Sequence, residues 1–184
     1  ASVVLDAEVG AEQILEELEN RCDLEPIMEE LREQLLQPFV DSTRFTLNEM
    51  VGIETTVHAT YRKQGYRIFG DYSAVVGLTA DTEGTLVLSF PRETAHELGG
   101  RMLEPLGMTP DEELIQSSIA EVTNIVVGQA KGKLSGTSYH FNMSTPTVVA
   151  GLHHEIRYEP GLPCLVSLFS GEIGDFALQL CMSF

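Results

Sequence analysis

Positively charged side chains are scarce in this 184-residue sequence, where 11 Lys and Arg stand against 28 Asp and Glu for a formal net charge of −17. So acidic a surface repels the phosphates of nucleic acids and of anionic lipids, which removes both from the expected partners and favours solubility or a basic patch on another protein. Cysteine is rarer still. Cys22, Cys164 and Cys181 are odd in number, widely spaced and free of any Cys-x-x-Cys pair. That pattern reads as reduced thiols in or near a core, with no disulfide framework expected. No apolar run approaches the ~20 residues that span a bilayer, and the first residues lack a basic segment followed by an apolar stretch and a cleavage site. The expected address is therefore intracellular and cytoplasmic, with no membrane partner.

Several kinds of chemistry also lack their residues. No Gly-x-Ser-x-Gly elbow or paired cysteine supports a covalent enzyme intermediate. Gly128-Gln129-Ala130-Lys131-Gly132-Lys133-Leu134-Ser135 has the composition of a phosphate-binding loop. Its glycine spacing and the residue after Lys are both wrong for one, and it falls inside a helical pattern. In His153-His154-Glu155, neighbouring side chains on a strand would point to opposite faces and could not readily share an ion. His58, His96 and His140 are isolated. No metal site is expected.

What remains is the composition of an ordinary globular protein, 43% hydrophobic and 21% charged. Residues 1–38 stand apart, with eleven acidic side chains against two basic ones. Within them Ile14, Leu15, Leu18, Met28, Leu31 and Leu35 recur at helical spacing among glutamates, and Pro26 splits the pattern into two short helices. We read residues 1–37 as an acidic helical extension and 38–184 as the main domain. Phe39, Val40, Thr43, Leu47 and Met50 share one face of a helix from Pro38 to Met50, ended by Val51-Gly52.

Strands are expected over Glu54–Tyr61, Ser73–Thr79 and Gly84–Phe90, the last two forming a hairpin through Ala80-Asp81-Thr82-Glu83. Pro91 opens a helix to about Leu103, in which Gly99-Gly100 implies tight packing against a neighbour. Thr109-Pro110-Asp111-Glu112 then reads as a hydroxyl cap, a first-turn proline and a reciprocal Glu, starting a long helix that ends at Leu134. Strand character returns in Tyr139–Met143, His154–Tyr158, Cys164–Phe169 and Phe176–Phe184. The expected fold is α+β, a mainly antiparallel sheet of about six strands with long helices packed on one face.

On the Asp111–Leu134 helix, Ile115, Ile119, Val122 and Val126 form the core-facing stripe. At ~100° per residue, Ser117, Glu121, Asn124 and Gly128 fall on the opposite flank. A carboxylate and a carboxamide thus stand one turn apart beside an open glycine. A carboxamide can hold a water by giving and accepting hydrogen bonds, while a carboxylate can pair with an incoming cation. Such a pair suits a reaction whose metal and leaving group arrive on the substrate.

The run from Ile119 to Leu134, with Glu121-Val122-Thr123-Asn124 followed by apolar residues and Gly128, closely resembles the signature helix of the CheC/CheX phosphatases of bacterial and archaeal chemotaxis. Phe39-Val40-Asp41-Ser42-Thr43 resembles that family's first helix, and Gly84-Thr85-Leu86-Val87-Leu88-Ser89-Phe90-Pro91 its strand and turn before the second. The resemblance covers roughly residues 38–184 and has no counterpart for 1–37. It implies a CheC/CheX-like fold and hydrolysis of the aspartyl phosphate on a CheY-like receiver domain. Asn124 would orient the attacking water, and Glu121 would pair with the receiver's active-site lysine. Ser117 and Gly128 would contact the partner, and the Mg2+ would belong to the receiver, with no cofactor on this chain. Glu49-Met50-Val51-Gly52 lacks the asparagine of a second motif, which favours the single-site CheX branch and implies a homodimer. The alternative is a noncatalytic scaffold module of the flagellar-switch type, since fold alone does not confer activity.

Overall fold

A computed structural model describes residues 30–63, 70–80, 83–152, 154, 156 and 164–182. Residues 1–29 of the acidic stretch lie outside them. So do Cys22, Asp81 and Thr82 of the hairpin turn, His153, Glu155 and most of the expected strand His154–Tyr158.

Among the described residues, three α-helices cover one face of a seven-stranded antiparallel sheet. Helix α1, Gln37–Val51, is entered through a π-helical turn, Arg32–Leu36, whose Leu35 and Leu36 are buried in the core. Pro38 sits in the first turn of α1, where its missing N–H is not needed. Gly52 closes the helix in the left-handed conformation at φ 65° and donates its N–H to Asn48 O at 2.9 Å. Helix α2 is Arg92–Leu103, and Gly99 lets α3 approach it, since a Cβ there would meet Ile115 Cγ1 at 3.1 Å. Gly100 faces open space, so the tight packing belongs to Gly99 alone.

Helix α3, Glu112–Leu134, differs from expectation at its start. Its cap is Asp111, not Thr109, and the Asp111 carboxylate accepts the Leu114 N–H at 2.8 Å. A carboxylate is at least as good a cap as a hydroxyl and also complements the helix dipole, as do Glu112 and Glu113 at this end and Lys131 and Lys133 at the other.

Strands β1 (Thr55–Lys63), β2 (Tyr72–Thr79), β3 (Glu83–Phe90), β4 (Asn142–Met143), β5 (Thr147–Ala150), β6 (Cys164–Gly171) and β7 (Gly174–Met182) run in the order β1-β6-β7-β3-β2-β4, with β5 also on β2. The β2–β3 hairpin forms as expected, in register from Tyr72↔Phe90 to Thr79↔Glu83. The expected strand Tyr139–Met143 shrinks to its last two residues, because Thr137–Tyr139 folds into a turn held by the Thr137 hydroxyl. Strand β5 has no counterpart among the expected strands. Its polar and apolar residues are mostly exposed, so only the ladder to β2 marks it as a strand.

Alternation divides the strands into two faces. Tyr72, Ala74, Val76, Leu78, Leu86, Leu88, Phe90, Leu165, Phe169, Leu178 and Leu180 meet the helices in one core. Phe90, Phe176 and Phe169 stack through it at 5.1 and 4.8 Å between ring centroids. The other face is buried too: Ser73, Val87, Ser89, Gln179 and Cys181 expose 1% or less. His154 reaches this face, its Nε2 2.7 Å from Ser73 Oγ, which is 2.8 Å from Ser89 Oγ.

The second face also corrects the reading of the cysteines. Cys164 and Cys181 are directly paired across β6 and β7 and joined as a disulfide, although 17 positions separate them. Only the tight β6–β7 hairpin, turning at Glu172-Ile173, sets them opposite each other. Among the described residues no helix is long and apolar enough to cross a membrane.

The glycine at the hairpin's exit leaves no room for a side chain. Gly174 has φ 105°, and a Cβ there would lie 2.6 Å from Thr94 Oγ1, which donates to Asp175 O. Gly174→Ala should cost about 2–3 kcal/mol through strain and the displaced hydroxyl, seen as a melting point lower by about 5–10 °C. Gly100→Ala, with open space and a helical backbone, should instead stabilise by about 0.5–1 kcal/mol in the same calorimetric comparison.

Candidate active site

Helix α3 lies between α1 and α2 and carries the four residues expected to act. Its buried side consists of Ile115, Ser118, Ile119, Val122, Thr123, Val126, Val127, Ala130 and Leu134. This contains the whole expected stripe. Ser118 and Thr123 tolerate burial because their hydroxyls donate back to Leu114 O and Ile119 O, each at 2.8 Å. With these positions held inward, the 3.6-residue period forces Ser117, Glu121, Asn124 and Gly128 outward, and all four are exposed.

Glu121 and Asn124 follow each other at about 4.5 Å along the axis, three residues of helical rise. Among the described residues neither side chain has a hydrogen-bond or ion-pair partner, so both retain their full capacity for an incoming group. No atom outside the helix's own backbone lies within 4 Å of where a Gly128 Cβ would stand, leaving a clear approach one turn beyond Asn124. The site is an open helix flank. A groove of about 400 Å³ does exist, but it lies between α1 and β1, and none of the four residues lines it. Among the described residues no three His, Cys, Asp or Glu side chains gather to hold a metal ion. The arrangement can position a water and bind a cation, while any metal and reacting bond must come with the substrate.

What holds the first turn of α3 was not legible in the sequence. Glu112, expected to cap the helix reciprocally, reaches out of it instead. The buried Tyr72 hydroxyl donates to Glu112 Oε1, and its oxygen is 3.2 Å from His96 Nε2. Arg92 approaches Glu112 Oε2 at 3.8 Å. His96, read as isolated, thus joins β2, α2 and α3 in one cluster. No local pattern marks these partners, which lie 24 and 40 residues apart.

Burial, reinforced by the hydrogen bond to Glu112 and by that carboxylate's charge, pushes the Tyr72 phenol up to about 12. An unfolded tyrosine ionises near ~10, so folding favours the neutral phenol. Its contribution to stability is whole below that value and is lost as pH rises towards 12. Denaturant titrations at pH 9 and 11.5 should therefore show a smaller alkaline loss in Tyr72→Phe than in the native chain.

With this geometry in place, comparison with known proteins is specific. The family model of the chemotaxis phosphatase CheX matches residues 72–170, a span that includes the whole of α3. A CheY-P phosphatase CheX of Thermotoga maritima is 29% identical over 148 residues, covering 80% of this chain and 94% of that protein. The crystal structure of a chemotaxis protein CheX from Desulfovibrio desulfuricans superposes with a TM-score of 0.74 at 30% identity, covering 80% of this chain and 97% of the other. The CheX of a CheX–CheY–BeF3–Mg2+ complex from Borrelia burgdorferi shares the fold at 22% identity and a TM-score of 0.60, covering 81% and 97%. The chain belongs to the CheX family of chemotaxis phosphatases.

Proposed function

We propose that this chain accelerates hydrolysis of the aspartyl phosphate on a CheY-like receiver domain, with Asn124 orienting the attacking water and Glu121 pairing with the receiver's active-site lysine. One observation carries the reading: an unengaged carboxylate and carboxamide stand one turn apart on the exposed flank of a firmly packed helix. Two relatives support the substrate. The Thermotoga maritima protein is a CheY-P phosphatase, and the Borrelia burgdorferi CheX is complexed with CheY, Mg2+ and BeF3, a mimic of a phosphoryl group.

An acyl phosphate already has a good leaving group, and the receiver supplies Mg2+ to offset charge on the phosphoryl oxygens. Positioning is then nearly all that a second protein must add. The Asn124 carboxamide accepts a hydrogen from water and so aims its lone pair at phosphorus. As the P–O bond to water forms, the bond to the aspartyl oxygen breaks, leaving carboxylate and inorganic phosphate. Glu121 fixes the docking angle through the lysine ammonium, while Ser117 and Gly128 flank the contact and keep it open. Cys164 and Cys181 lie on the sheet face away from the helices and take no part. The reading also assigns a cytoplasmic address and a homodimer with one site per subunit.

Asn124→Ala should lower turnover roughly a hundredfold while receiver binding largely survives, because the lost interaction is made chiefly in the transition state. Glu121→Ala should weaken both binding and turnover. Phosphate release from a panel of phosphorylated receivers measures both, with unchanged melting temperatures as the control for these exposed positions. Full acceleration by Asn124→Ala on a receiver that the native chain dephosphorylates would refute the mechanism. If no receiver is dephosphorylated at all, the scaffold reading takes its place. Light scattering should give the mass of a dimer, and a stable species of 20.2 kDa at micromolar concentration would exclude it.

A further inference from the structure

We propose that Phe45, on the outward flank of α1, is a docking residue for the receiver domain, its ring seating an apolar side chain of that partner beside Asn124 and Gly128. The inference rests on the receiver reading above. Phe45 is 55% exposed, and among the described residues no other phenylalanine or tyrosine ring is left open to solvent. Its neighbours one turn before and after, Asp41 and Glu49, are exposed carboxylates. With Glu121 they frame an apolar centre in negative charge, the layout of an interface whose partner is cationic around an apolar spot. A receiver that brings its active-site lysine to Glu121 carries that sign of charge.

The packing of α1 places the ring. Gln37, Val40 and Arg44 turn one flank of the helix to β1 across the groove, where Arg44 Nε donates to Thr55 O at 3.1 Å. Ser42, on the other flank, is wholly buried, and α3 is the helix that packs against α1. Phe45 follows Ser42 by three positions, so it shares that flank one turn further along, at its solvent margin. Phe39 stacks on Phe141, beyond the end of α3, with ring centroids 5.5 Å apart. The start of α1 therefore lies at the end of α3, and the two helices run in opposite directions. Six residues separate Phe39 from Phe45 and Gly128 from Leu134, about 9 Å of axis in each case. That brings Phe45 level with Gly128, across an interaxial distance of about 8–10 Å. Gly128 puts no side chain between them, so the ring and the Asn124 carboxamide border one continuous open surface.

Steady-state dephosphorylation of a panel of phosphorylated receivers by Phe45→Ala tests this. KM for the receiver should rise about tenfold while kcat stays within about twofold, because a docking contact serves ground and transition states alike. Asn124→Ala should show the opposite split. Phe45→Leu, which keeps an apolar side chain, should recover most of the affinity, and both Phe45 variants should melt with the native chain. Binding of a receiver loaded with Mg2+ and BeF3, followed by calorimetry, should weaken in Phe45→Ala by the same factor, a readout independent of turnover. Native KM and native binding in Phe45→Ala overturn the proposal and leave the roles of Asn124 and Glu121 standing. A loss of kcat at native KM also overturns it. So does light scattering that shows Phe45→Ala falling from a dimer to a 20.2 kDa species, since the ring is then a subunit contact. If the native chain neither hydrolyses nor binds any receiver, this proposal and the receiver reading fall together.

Discussion

Everything at the candidate site depends on the burial of one side of α3. Ile119, Val122, Val126, Val127 and Ala130 are wholly enclosed between the sheet and the neighbouring helices. Rotating the helix to hide Glu121 or Asn124 would drag those apolar side chains into water and strand a carboxylate in the core, two costs of several kcal/mol that reinforce each other. The outward flank is therefore as rigid as the core behind it, and two polar side chains on it keep a fixed spacing without a pocket. Gly99 contributes by letting α2 and α3 approach to within backbone contact, and Asp111 by closing the first turn.

That rigidity suits an open surface to the proposed action on a phosphorylated partner. A pocket enzyme gathers metal, nucleophile and acid around a bound substrate. In the mechanism we propose, the Asn124 amide orients water and the Glu121 carboxylate seeks a cation, a sufficient set only if the other half of the chemistry stands on the opposing protein. The strongly acidic surface is consistent with docking onto a cationic active-site group, and it discourages polyanions from competing for the same flank.

The sheet is more elaborate than a platform for helices. At its centre both faces are buried, so β3 and β7 run almost without an exposed residue. The cluster of Tyr72, Glu112, His96 and Arg92 ties the first turn of α3 to β2 and α2. Ser73, Ser89 and His154 form a second polar chain on the far face. These groups are satisfied by one another, which is what allows polar side chains to sit in or beside the core.

The site helix and its exposed flank are legible in the amino-acid sequence alone, because a 23-residue amphipathic helix repeats its own signal every turn. The helix at Gln37–Val51 and the β2–β3 hairpin are legible for a related reason, each being bounded by proline, glycine or polar turn residues. What the sequence leaves open is non-local. Strand β5, with mostly exposed residues, is defined only by its ladder to β2, and the cap falls on Asp111 and not Thr109 although both residue types suit the role. The pairing of Cys164 with Cys181 and the reach of Glu112 to Tyr72 join residues 17 and 40 positions apart. Periodicity is carried by adjacent residues and survives in the bare chain, whereas such contacts exist only once the sheet has set their strands and helices side by side.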